Sequence, residues 1–331
     1  MKVPPGGSSL KNMLNVVLQT AQSVLGIYIV GFLGFFLTKI GFIGFETKKI
    51  IPKLVTAVAL PPFLFLAVTR SFTQEKLLSL FHGTLIPIIS ILAVYSIGLF
   101  YAYLFKVPRT KRGVISVGAA ASNTIFIGLP VNLALFGEQA LPYVLLYFFA
   151  NTTFFWTLGN YTLSLDGANP PNEFNFWITL RAFFSPPFLG FLAGLFFVLF
   201  HLTPPAPIEM ACSMVGGLTS PLALLFIGIS LVGVSLKALK PDRDLLMTLA
   251  GRFILSPLAV YLLSQTLIPV PALMLKVFII QSSLPAAANL ALMSSYHGGD
   301  ASFAAIVVSV STVLSLVSLP IFMLLFAYLN L

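Results

Sequence analysis

Long apolar runs alternate with short polar joints along almost the whole chain. The runs are about 20 residues long, the length that carries a helix across the hydrocarbon core of a bilayer. Ten spans are predicted, roughly at 14–37, 49–69, 81–105, 113–136, 141–163, 176–200, 209–234, 245–268, 272–295 and 302–328. The first run is long for a signal peptide and has no small-residue cleavage site after it, so it reads as a retained span. The longest polar stretch, 164–175, holds Asp166, Gly167, Asn169, Pro170, Pro171 and Glu173 and reads as a turn-rich linker. The predicted organisation is a first five-helix repeat over 1–163, a linker over 164–175, and a second five-helix repeat over 176–331.

Five spans on each side of the linker carry a consequence. An odd number of crossings makes the second half enter the membrane the opposite way up, the inverted-repeat arrangement of many transporters. The prolines suggest internal similarity. In the second span of each half they fall at Leu60-Pro61-Pro62 and Thr219-Ser220-Pro221, and in the fourth at Gly128-Leu129-Pro130 and Leu284-Pro285-Ala286. Each fourth span also ends in a comparable turn, Phe136-Gly137-Glu138 in one and Tyr296-His297-Gly298 in the other. The predicted fold is an all-α polytopic membrane protein, with ten transmembrane helices in a 5+5 inverted repeat and helices 4 and 9 broken.

Composition agrees with the pattern. Hydrophobic residues make up 58% and charged residues 8%, against about 25% charged in a soluble domain. The net charge of +9 is scattered between the apolar runs, with no basic stripe, so nucleic acid is not an expected partner. Of the Lys and Arg residues, 13 fall on one side of the predicted topology and 5 on the other. That asymmetry places the linker in the cytoplasm and both termini outside a cell (inner) membrane. Cys212, the single cysteine, allows no intrachain disulfide. Gly190 and Gly194 form a GxxxG motif in the sixth span, a feature compatible with a homodimer.

Candidate chemistry gathers at the breaks. A proline removes a backbone donor and clashes with the preceding turn, and the freed peptide groups must face protein or water because lipid offers them nothing. Two such breaks near mid-membrane would form a polar centre, and helix N-termini there favour a small anion such as a carboxylate. Asn123 and Thr124 lie just before Gly128 and Pro130. Gln281 and Ser283 precede Pro285, and Asn289 follows it by one turn. Asn151 and Thr152 form a further polar cluster in the fifth span, and intramembrane amides of this kind either join helices or line a site. Asp and Glu fall in loops or at span edges, which leaves no clear deep carboxylate for a proton relay. Lys276, Arg252 and Arg181 lie near predicted span ends and read as interfacial anchors. Nucleotide, zinc-protease and clustered Cys/His signatures are missing, so an enzyme is not expected and no cofactor is implied. A coupling ion, H+ or Na+, stays open.

The stretch from Ser122-Asn123-Thr124 through Gly128-Leu129-Pro130 to Phe136-Gly137-Glu138 resembles the auxin efflux carrier family, which includes PIN proteins and bacterial malonate-transporter-like members. So do Ala59-Leu60-Pro61 and the run Leu284-Pro285-Ala286-Ala287-Ala288-Asn289 with Tyr296, Gly298, Asp300, Ser311-Thr312 and Leu319-Pro320. The resemblance covers nearly the whole chain. It implies a ten-helix carrier of organic anions whose spans four and nine cross at their broken points. In such a carrier spans one, two, six and seven form a scaffold, often dimeric, and the rest moves as an elevator. It further implies a crossover made by Asn123, Gly128 and Pro130 with Pro285 and Asn289, with Asn151 and Thr152 near a polar pair that faces the site in plant members. The long cytoplasmic loop of those members is missing, which points away from auxin and toward a microbial protein. The expected function is secondary transport of a small organic anion. The alternatives are a sodium-coupled symporter of the bile-acid type, whose crossover fold is related, and a non-transporting membrane sensor.

Overall fold

The computed structural model describes residues 25–44, 47–167, 184–232 and 242–329. Arg181, Lys237, Lys240, most of the predicted linker and the start of the first predicted span lie outside them. Twelve helical segments are described, and among the described residues no strand is present beyond one isolated β-bridge. Helix α1 is Leu25–Lys39. Helix α2 runs from Thr47–Leu54 through Val55–Ala59 into Leu60–Ser71. Then follow α3 (Gln74–Leu104), α4 (Arg109–Ala120), α5 (Thr124–Phe136) and α6 (Glu138–Leu165). The second half holds α7 (Pro186–Leu199), α8 (Ala206–Leu231), α9 (Arg243–Thr266), α10 (Ala272–Ser282), α11 (Asn289–His297) and α12 (Ala301–Leu329). Within these, six stretches are long and apolar enough to cross a membrane: Ile50–Ser71, Gln74–Leu104, Glu138–Leu165, Ala206–Leu231, Arg243–Thr266 and Ala301–Phe326. Exposed Phe, Leu and Ile side chains cover many outer faces, as lipid contact requires.

Local chemistry sets several helix starts. Thr73 Oγ1 accepts the Lys76 N–H ahead of α3, Asp242 Oδ1 the Leu245 N–H ahead of α9, and Asp300 Oδ1 the Phe303 N–H ahead of α12. Each satisfies a first-turn donor that has no helical acceptor. At the other ends, Gly137 closes α5 at φ +71° and Gly298 closes α11 at φ +77°. Both are left-handed positions that glycine adopts without a Cβ penalty.

Several prolines behave differently from the expectation of broken spans. Helix α2 does not break at Pro61 and Pro62; it continues through them after a π-helical turn, Val55–Ala59. Gly128, Leu129 and Pro130 likewise lie inside the helical run of α5, Gly128 closing the π turn Thr124–Gly128 and the other two directly after it. In α9 the π turn Gly251–Leu255 stands immediately before Ser256-Pro257. A proline ring collides with the carbonyl one turn earlier. Widening the preceding turn to π geometry absorbs that collision and keeps the helix going. Around Pro221, α8 shows a hitch at Gly217 and Leu218 rather than a gap.

Close packing positions the rest. A Cβ on Gly190 would collide with the Pro61 carbonyl, and one on Gly194 would lie 2.7 Å from Val68 Cβ. The GxxxG motif of α7 is therefore used against α2 of the same chain. Gly228 of α8 is pressed in the same way onto Gly31 of α1, and Gly216 onto Phe63. Helices α1, α2, α7 and α8 thus pack by direct backbone approach, the mode available to helices in lipid.

Candidate functional site

The real interruptions fall at 121–123 and at 283–288, between α4 and α5 and between α10 and α11. They meet. Ser122 and Ala286 form an antiparallel bridge. The Asn123 N–H donates to the Pro285 carbonyl at 2.9 Å and the Ala287 N–H to the Ala121 carbonyl at 3.0 Å. In such a pair the flanking residues make the bonds, so the N–H and C=O of Ser122 and Ala286 point away from each other. Buried, they need other partners. Asn151 on α6 serves Ser122 twice: Oδ1 accepts its N–H at 2.9 Å and Nδ2 donates to its carbonyl at 3.0 Å. Ser311 on α12 serves Ala286 once, its Oγ accepting the N–H at 3.1 Å.

A cavity of about 290 Å³ opens against this bridge. Asn123, Thr124 and Ile125, at the start of α5, form one wall. Ala287, Ala288 and Asn289, at the start of α11, form another. Asn151, Thr152 and Trp156 of α6, Thr56 of α2 and Pro186 of α7 complete it. Asn123 also caps α5, its Oδ1 accepting the Phe126 N–H at 3.2 Å. Two helix N-termini, each with unshared amides and partial positive charge, therefore border one space of small-molecule size. A wider hollow of about 620 Å³ lies at other ends of α2 and α6, lined by Arg70, Lys76, Glu138 and Gln139. It touches neither interruption.

Of the residues singled out in the sequence, Asn123, Thr124, Asn151, Thr152 and Asn289 come together around the smaller cavity. Gly128, Pro130, Gln281, Ser283 and Pro285 do not line it. Pro285 is spent in the bridge through its carbonyl. Ser283 Oγ donates to the Ile280 carbonyl at 3.0 Å. Pro130 is buried in the second turn of α5, and Gly128 packs directly against the Gln281 side chain. Gln281 is fully buried, and neither of its amide atoms has a hydrogen-bond partner.

Three groups were missed by sequence reasoning. Ser311 belongs, with Thr312, to a stretch that resembles the carrier family, but the resemblance gave it no role at the site. Arg252, expected at an interface, is 1% exposed and reaches the end of α10. Asp166, expected in a loose linker, is 3% exposed and receives the Gly113 and Val114 N–H groups of α4. Burial pushes its carboxyl up to about 7, while those two backbone N–H bonds pull in the other direction. It sits beside Gly299, in the turn that joins α11 to α12, and Asp300 N–H donates to Thr110 of α4 at 2.9 Å. The start of α4 and the end of α11 are tied together there.

A model of the family described as "Membrane transport protein" matches residues 20–323. The chain is 28% identical over 313 residues to a protein of Methanothermobacter thermautotrophicus named an uncharacterized transporter, covering 92% of this chain and 98% of the relative. It is 27% identical over 301 residues to another uncharacterized transporter, from Methanocaldococcus jannaschii, covering 88% and 94%. Apolar helices of spanning length and a family match from residue 20 to 323 lead to one assignment: the chain is a polytopic membrane protein of the membrane transport family that includes the auxin efflux carriers, a transporter and not an enzyme.

Proposed function

We propose that the protein is a secondary carrier of a small organic anion, bound in the 290 Å³ cavity where the interruptions of α4/α5 and α10/α11 cross. The observation that carries this reading is the pair of helix starts, at Asn123 and at Asn289, opening into the same space. Backbone amides at helix N-termini recognise carboxylate oxygens without a formal cation, and Asn, Thr and Trp side chains give the polar and apolar contacts a small carboxylate needs. In this reading α4 with α5, and α10 with α11, each make one interrupted span, giving ten spans in a 5+5 inverted repeat. The supports support that symmetry: Asn151 on the last helix before the linker and Ser311 on the last helix of the chain each hold one interruption. Helices α1, α2, α7 and α8 are the scaffold, and the remaining helices carry the site across as an elevator.

The cavity walls from α2, α6 and α7 come from the halves nearest the Lys-rich loop after α1 and the end of α6. By the positive-inside rule that side is cytoplasmic, so in this reading the cavity lies nearer the cytoplasmic face. The test is a thermal-shift screen of small carboxylates on the detergent-purified protein, since a ligand of the folded state raises the midpoint. A hit is then followed by uptake into liposomes. Asn289→Ala is expected to abolish the shift and the uptake while the unliganded protein still folds. A screen without hits, or uptake untouched in Asn289→Ala, overturns the reading.

A further inference from the structure

Arg252 has no role in the cavity, yet it is among the largest fully buried side chains. Its Nη2 donates to Ser256 Oγ at 2.7 Å and to the carbonyl of Ser282, the last residue of α10. Nε and Nη1 have no partner. Among the described residues the ion pairs are Arg70 with Glu209 and Lys111 with Asp242, so no carboxylate balances Arg252. A guanidinium stripped of water and left without a counter-charge is costly, and within a membrane protein such a group marks function by default.

What faces it is the C-terminal end of a half-helix. The last carbonyls of a helix lack intrahelical partners and carry partial negative charge. For α10 that end is buried inside the protein, cut off by the interruption before α11. In secondary transporters such ends, with unwound carbonyls nearby, are where a coupling sodium ion or proton is held. Here a positive charge arrives at that place on a side chain. Its other near neighbours are polar hydroxyls. The Tyr147 hydroxyl, fully buried and without a hydrogen bond of good geometry, faces Arg252, Ser256 and Ser122. Ser122 is the bridge residue that borders the cavity. The positive charge is thus one side chain removed from the proposed anion site.

We propose that Arg252 is a tethered cation that occupies, at the C-terminal end of α10, the place a coupling metal cation would fill, so that the site works without sodium. This rests on reading the crossing interruptions as the carrier's site and extends that reading to coupling. Arg252 is a positioning residue, holding the end of α10 and lending its charge from behind the bridge.

The test uses thermal unfolding of the full-length protein in detergent and needs no transport substrate. In sodium, potassium and choline chloride at equal ionic strength the wild type is expected to unfold at one temperature. A midpoint raised by sodium alone overturns the proposal. Arg252→Lys keeps a cation and Arg252→Met replaces it with an apolar side chain of similar length. If the residue served only to fill space, Met would be the better tolerated, since apolar replacements of buried charges are often neutral or stabilising. The proposal expects Lys to unfold roughly 5 °C above Met, and Met equal to or above Lys overturns it. Arg252→Ala opens the slot, and millimolar guanidinium chloride is expected to raise its midpoint over choline chloride while leaving the wild type unmoved. No such rise overturns it; where the Ala variant yields no folded protein, the Lys and Met pair decides. Failure of the carboxylate screen leaves these readouts intact, and their failure leaves the screen intact.

Discussion

The two interruptions look alike along the chain and are held in different ways. At 121–123 the buried peptide groups of Ser122 that the bridge leaves unpaired are matched on both sides by the Asn151 amide, and Asn123 caps the helix that follows. At 283–288 the Ala286 N–H has a single hydroxyl partner, Ser311, and α11 starts from Ala288 with no side-chain cap. The chain reaches that second gap through Pro285, which has no N–H to satisfy. One interruption is pinned by four side-chain bonds, the weakest from Ser122 Oγ to Asn151 Oδ1 at 3.5 Å. The other relies on proline for its shape and on Arg252 for its neighbouring helix end. The difference teaches that the α10/α11 side is the less constrained half of the crossing, and in the proposed carrier the one to adjust around a bound anion.

The sharpest way to break this comparison is Asn151→Leu. It strands one buried donor and one buried acceptor of Ser122, at about 1–3 kcal/mol each, so a loss of about 4 kcal/mol is expected. Thermal or denaturant unfolding in detergent measures it. A loss smaller than that caused by removing the Ser311 hydroxyl would reverse the ranking of the two interruptions.

The crossing spans are also joined at their ends through Asp166, and pH tests that joint. Its carboxyl lies at about 7 in the folded protein against an ordinary 3.8, with burial as the cause. Between those values the unfolded chain has lost the proton and the folded chain still holds it. Stability therefore falls as pH rises from about 4 to about 7, with a ceiling of about 4 kcal/mol at 1.4 kcal/mol per unit. Asp166→Asn, which cannot ionise but can still accept the Gly113 N–H, is expected to flatten this component. The readout is the difference between wild-type and variant midpoints across that window; parallel profiles would dismiss Asp166 as the titrating group.

A smaller effect tests the contact between the two interrupted spans. A Cβ at Gly128 would press into Leu284 Cδ1 and the Gln281 amide, both of them buried. In an open helix Gly→Ala helps. Here overpacking is expected to win, with Gly128→Ala costing about 2 kcal/mol. A stabilised variant would mean that the spans part easily at that point.

How far the sequence could be read follows from the range of each interaction. The apolar runs announced the helices because lipid exposure is a property of a segment by itself. Pro285 was legible as a break residue, and Asn123 as a polar residue close to one, because unpaired backbone in a membrane must be near polar or proline residues. Pro130 misled, since its ring clash is relieved locally by the π turn at Thr124–Gly128 and leaves no gap. Arg252 and Asp166 were out of reach for a different cause. Their partners, Ser282 and Gly113, lie 30 and 53 residues away, and nothing in the flanking residues reveals them. Asn151 was placed at the site, but its role as a two-sided backbone clamp depends on the register of the bridge, which only the fold supplies.

The mildest test returns to the second interruption. Ser311→Ala removes one neutral acceptor from the Ala286 N–H and leaves the other hydrogen bonds of the bridge in place. One stranded buried donor costs about 1 kcal/mol at the lower end of the range, and the compliant segment can tilt the N–H toward another acceptor. The expected midpoint change is therefore about a quarter of that for Asn151→Leu. Ligand binding should respond more than stability, because Ala287 and Ala288, next to Ala286, border the cavity. A Ser311→Ala variant that loses as much stability as Asn151→Leu would show the second interruption to be as firmly pinned as the first. The site would then have to adjust somewhere other than at α11.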